Sequence, residues 1–140
     1  MKKLFVVFMV VAMVAVTGCG NSKTLTCKME EDGTVETNKL TFKKDKLTKL
    51  TTISETDISK EGLKESDLEE ARGYYALVCG FFTGDGLECK SDVTTKKATI
   101  TMTVDLEKAK AETLESLEIG DYETMEKAKK AFTDEGYTCK

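Results

Sequence analysis

The chain of 140 residues contains no histidine, no tryptophan and no proline, and only 7% of it is aromatic. Without histidine there is no Ser-His-Asp or Cys-His catalysis and no His-ligated metal. No Cys-x-x-Cys occurs, so neither a zinc knuckle nor a thioredoxin-like redox pair is signalled. There is no basic excess either. The formal net charge is −4, and nucleic acid rewards basic faces. Catalysis by carboxylates or lysine is not excluded by composition, but no pair is marked out by spacing, so no enzyme is expected.

What is present begins with an address. Met1-Lys2-Lys3 is basic, and Leu4 to Val16 is unbroken apolar sequence. A helix of about a dozen residues spans roughly 20 Å, short of the ~30 Å hydrocarbon core. A charged start, an apolar stretch and small residues at a cut make a secretory signal peptide rather than a membrane span. Val16-Thr17-Gly18-Cys19 resembles the bacterial lipobox, which implies cleavage between Gly18 and Cys19 and acylation of Cys19. The expected organisation is a signal peptide at 1–18, a lipidated tether at 19–23 and a single domain at 24–140. The domain would then be held on the cell membrane by its N-terminal lipid, on the extracytoplasmic face. Loss of the two signal lysines makes the mature charge −6, which argues against lying flat on an anionic membrane.

Four further cysteines remain: Cys27, Cys79, Cys89 and Cys139. Outside the cytoplasmic membrane, an even number favours disulfides over a metal site. Cys27–Cys139 with Cys79–Cys89 would tie the domain's ends together and staple a helix end to the next strand. Cys27–Cys79 with Cys89–Cys139 is the rival pairing. It draws on a likeness of the two halves, each a Cys-Lys strand, a hairpin, a helix and a Cys near the helix end, as a duplication would leave.

Alternation and turn residues predict strands at 24–29, 35–43 and 47–56, with turns at Glu30-Glu31-Asp32-Gly33 and Lys44-Asp45. In the third strand Leu47, Leu50 and Ile53 do not share one parity. A bulge or packing on both faces would account for that. Ser66-Asp67-Leu68-Glu69 has capping-box form. Behind it, Leu68, Ala71, Tyr75, Val78, Cys79 and Phe82 fall on one helical face. Thr83-Gly84-Asp85-Gly86 ends that helix and carries too few carboxylates for calcium. Strands follow at 87–93 and 98–106. Residues 107–117 fit a helix or a linker. A final helix opens at Asp121 or Tyr122, with Met125, Ala128 and Phe132 inward and Gly136 closing it. The fold class is therefore α+β: an antiparallel sheet of about five strands with two helices on one face, in the order β-β-β-α-β-β-α. Tyr74-Tyr75 and Phe81-Phe82 read mainly as core. Tyr74, off the inward face, is the candidate for a partner surface.

The lipobox, the run Leu40-Thr41-Phe42-Lys43-Lys44-Asp45-Lys46-Leu47-Thr48-Lys49, the mid-chain helix, the strand ending in Asp105 and the terminal Gly136-Tyr137-Thr138-Cys139-Lys140 together resemble the YehR-like bacterial lipoproteins. The resemblance implies an antiparallel sheet with helices packed on one face. It implies no activity, because that family has no agreed one, and so it carries over no catalytic residue and no cofactor. The functional expectation is a membrane-anchored binding or interaction module of the cell envelope, meeting an envelope protein or a small ligand. An envelope structural or stress lipoprotein is the alternative, and a carboxylate hydrolase the least favoured reading.

Overall fold

Three long strands, β1 (Ser22–Glu31), β2 (Thr34–Lys43) and β3 (Lys46–Asp57), form a meander at the centre of the computed structural model. The structure describes residues 22–117 and 122–140; the expectations for Gly18, Cys19 and Asp121 lie outside them. Both hairpin loops have two residues with positive φ, Asp32 and Gly33 in the first and Lys44 and Asp45 in the second. That is the turn geometry whose twist matches paired strands, and Asp-Gly is among its preferred sequences.

The chain then rises through two 3-10 turns into α1 (Leu68–Gly80), followed by β4 (Leu87–Val93) and β5 (Lys97–Asp105). The short α2 (Ala111–Ser116), α3 (Met125–Asp134) and β6 (Thr138–Cys139) complete the fold. The sheet is antiparallel throughout, in the order β4-β5-β3-β2-β1-β6. The described residues thus hold six strands and three helices, where the sequence pointed to about five and two. The extra strand is the C-terminal tail, which pairs with β1 through Cys27↔Cys139 and Lys28↔Thr138. The extra helix lies in 107–117, where the apolar spacing was too poor to choose.

One face of the sheet is inward. Across the register, Leu25 stands beside Leu40, Leu40 beside Leu50, and Leu50 beside Val104. α3 covers the β1–β2 side, adding Ala128 and Phe132 to Leu25, Cys27, Leu40, Phe42, Leu47 and Val104. α1 covers the β4–β5 side, where Ile58, Leu68, Val93 and Ala98 form a second cluster. Both helices therefore lie on the same face. Burying a side chain such as Leu25 or Phe42 stabilises by roughly 1.5–3 kcal/mol.

The parity problem in β3 is resolved by a bulge. The register shifts between Thr41 and Phe42, so that Thr41 faces Lys49 while Phe42 faces Leu47. Thr48 is the extra residue, and its hydroxyl donates to the Thr41 carbonyl at 3.1 Å. Leu47 and Leu50 then share the inner face, and Ile53 lies on the other. Two local expectations need correction. Ser66 does not cap α1: its hydroxyl donates to Asp67, whose other carboxylate oxygen accepts the Lys64 N–H at 2.9 Å. The acidic side chain is the better acceptor for a free N–H. The last helix begins at Met125, because Thr124 caps it by accepting from the Lys127 N–H.

The likeness of the two halves is not expressed as symmetry. β1 and β4 run in the same direction, with β2 and β5 each on the inner side. A two-fold axis normal to the sheet, which would reverse one hairpin relative to the other, therefore does not relate the halves.

Candidate interaction surface

α1 is built to be held from beneath and bare above. Leu68 and Cys79 are buried against the sheet, and Ala71, Tyr75 and Val78 are half-buried. Cys79 is bonded to Cys89 of β4, with S–S 2.01 Å. Near its start, the Arg72 guanidinium donates to the Val93 carbonyl at 3.4 Å. Its other side carries Tyr74, Leu77 and Phe81, 64%, 63% and 79% exposed. Their i, i+3, i+7 spacing puts them in one stripe. Phe82 is 41% exposed. It leaves the inward face because the helix ends at Gly80 and the chain lifts toward the Thr83–Gly86 loop.

A second feature lies on the inner face. The Thr52 hydroxyl donates to the Asn38 side-chain carbonyl at 2.6 Å, and the Asn38 amide donates to Glu36 Oε1 at 2.8 Å. The Tyr137 hydroxyl donates to the same Glu36 oxygen at 2.6 Å. Asn38 is the buried polar side chain of the core and both its ends are satisfied, as burial demands. Burial first, and then the Glu36 carboxylate, push the Tyr137 phenol well above the usual tyrosine range. Tyr137 also packs edge-on to Phe132, which stacks on Tyr122. This network ties the C-terminal tail to β2. Beside it, Met29, Glu31, Asp32, Thr34 and Glu36 line an open depression of about 240 Å³.

No family model and no curated protein matches the chain. Solved structures do. The NMR structure of the E. coli YehR protein superposes with a TM-score of 0.63 at 17% identity, covering 87% of this chain and 93% of that one. The chain has the YehR-like fold. A second NMR structure, of a protein from Streptococcus pneumoniae TIGR4, matches with a TM-score of 0.59 at 14% identity, over 88% of this chain and 87% of that one.

On this YehR-like fold the cysteines pair as Cys27–Cys139 and Cys79–Cys89, the first of the two pairings considered. Tyr74 lies on the exposed stripe, edge-on to Tyr75 with ring centres 5.5 Å apart. Phe82 is a correction: helical spacing puts it on the inward face with Tyr75, and it is partly in solvent beside the exposed Phe81. The Thr83–Gly86 loop is a turn, with Asp85 paired to Lys110 at 3.3 Å. Among the described residues no three His, Cys, Asp or Glu side chains gather as a metal site. Among them, too, no helix is long and apolar enough to cross a membrane. The sequence reading missed Leu77 and the Glu36–Asn38–Tyr137 network. The available signal was Asn38, polar at a position that strand alternation with Leu40 and Phe42 turns inward.

Proposed function

We propose that the protein is a membrane-anchored lipoprotein whose domain serves as an interaction module at the cell envelope, with no catalytic role. The observation that carries this reading is the stripe Tyr74–Leu77–Phe81 on the uncovered side of α1. Exposing large apolar side chains brings the monomer no stability, and a partner covering Tyr74 and Leu77 would remove them from water. The lipobox-like Thr17-Gly18-Cys19 supports the anchor. A photocrosslinking residue placed at Tyr74 or Leu77 of the full chain, in living cells, should give a discrete adduct. The same residue at Lys39, on the opposite face of the sheet, should give none. Equal adducts at all three positions, or none at any, would remove the basis for the reading. Separately, Cys19→Ser should abolish fatty-acid labelling.

A further inference from the structure

The strand register gathers a group of lysines at one end of this domain. Ser22, where the described chain begins, lies opposite Lys43, and Lys43 lies opposite Lys46 across the turn. Lys23, Lys43, Lys44 and Lys46 are all exposed at this near end. Among the described residues none of the four is in an ion pair. The opposite end holds the acidic turn Glu30-Glu31-Asp32 and the acids that lead into α1. α1 runs from that far end, where Leu68 meets Val93 and Ala98, to the near end, where Cys79 reaches Cys89 at the start of β4. Phe81 and Phe82 therefore project at the same end as the unpaired lysines and the chain's exit at Ser22.

Chain length restricts what this end can meet. Two residues, Gly20 and Asn21, separate Ser22 from Cys19, a reach of about 10 Å when fully extended. If Cys19 bears lipid, the lysines sit within about one Debye length of the headgroups at physiological salt. We propose that the end carrying Lys23, Lys43, Lys44, Lys46, Phe81 and Phe82 docks on an anionic phospholipid bilayer. The ammonium groups sit at the headgroups and Phe81 enters the interface. The same end also carries acids, but Asp85, Glu88 and Asp105 are paired with Lys110, Lys90 and Lys108, so the four unpaired lysines outnumber Asp45 and Glu107 beside them. The domain stands on one end and does not lie flat, and Tyr74 and Leu77 are left facing sideways above the surface. The proposal rests on the anchor reading of Cys19, and its test separates the two.

The chain lacks tryptophan, so Phe81→Trp places a single indole reporter at an exposed position. The full chain carrying it is purified from bacterial membranes, and intact mass shows whether Cys19 is acylated. Absence of acyl chains overturns the anchor reading alone, because the indole reports docking in either case. The protein is added to vesicles of phosphatidylcholine with and without phosphatidylglycerol. Docking predicts a blue-shifted indole emission, quenched by brominated lipid, in the anionic vesicles only and reversed by salt. Changing Lys43, Lys44 and Lys46 together to Gln should weaken docking by up to about a hundredfold, at up to about fivefold per lysine. The same change at Lys60, Lys64 and Lys96, at the far end, should leave it unchanged. Water-like emission in anionic vesicles, equal quenching in neutral ones, or equal loss from the two lysine triplets would each overturn the proposal.

Discussion

Cys27 and Cys139 face each other across β1 and β6 with Cα atoms 4.0 Å apart at a sequence separation of 112. Thr26 and Lys140 exchange both backbone hydrogen bonds beside them, so the cysteines occupy the closer, non-hydrogen-bonded site of the ladder. A two-residue strand is too short to hold itself, and the bridge adds a covalent tie to the hydrogen bonds of Tyr137 and Lys140. In the chain-entropy model, closing a loop this long is worth about 4–5 kcal/mol, and the ten-residue loop of Cys79–Cys89 about 2–3 kcal/mol. Denaturant unfolding followed by circular dichroism should therefore show Cys27→Ser/Cys139→Ser losing more stability than Cys79→Ser/Cys89→Ser. The reverse order would show that loop length does not govern here.

Phe132 and Phe81 test the division between core and surface. Phe132 is buried between Tyr122 and Tyr137, and Phe132→Ala should cost about 3–5 kcal/mol. Phe81 supports nothing inside the fold, and Phe81→Ala should change stability by less than about 0.5 kcal/mol. The same unfolding measurement on both variants checks this. A large loss for Phe81→Ala would mean that the stripe is structural.

Two glycines with positive φ should answer differently to alanine. At Gly33 an added Cβ meets open space, so Gly33→Ala costs only the left-handed backbone, about 1–2 kcal/mol. At Gly86 it would also meet the Ala109 backbone nitrogen and, at 2.7 Å, the Asp105 carbonyl oxygen. Neither can retreat, because Asp105 and Ala109 are hydrogen-bonded to each other and Asp105 to Gly86. Gly86→Ala should cost about 3 kcal/mol or more once overpacking is added. Thermal unfolding of the two variants side by side would show whether the gap exists.

Tyr137 sets a dependence on alkaline pH. Its folded pKa is raised above the unfolded value of about 10, by burial and by Glu36. The folded state holds the proton more tightly, so this contribution is complete below pH ~10 and is lost as pH rises from there toward the folded pKa. Stability should fall with pH above about 10. Tyr137→Phe should flatten that fall, at the cost of about 1 kcal/mol near neutrality for the lost hydrogen bond. Unfolding free energies of both proteins across this pH range decide it; parallel curves would show that Tyr137 is not the group responsible.

Much of the fold was legible because its signals are local. Alternation in Leu40, Phe42 and in Ala98, Val104 marks inward faces, and Asp32-Gly33 fixes a hairpin. Distant contacts were not legible. α2 is six residues long and has no periodic face of its own; Leu114 and Leu117 are held by the core they touch. The Tyr137–Glu36 bond joins residues 101 positions apart, and nothing beside either residue announces the other. Phe82 fits the helical face by spacing alone. Helical spacing does not show where a helix stops, and Phe82 lies beyond the last turn.

The pairing of β6 with β1 also has a practical consequence. The C-terminal Lys140 joins Thr26, only four residues up the strand from Ser22. A reporter fused after Lys140 would therefore emerge close to where the chain enters the domain. One inserted between Asp32 and Gly33 would emerge at the other extremity, about 30 Å along β1. Labels at those two positions would give a ruler along the length of the domain.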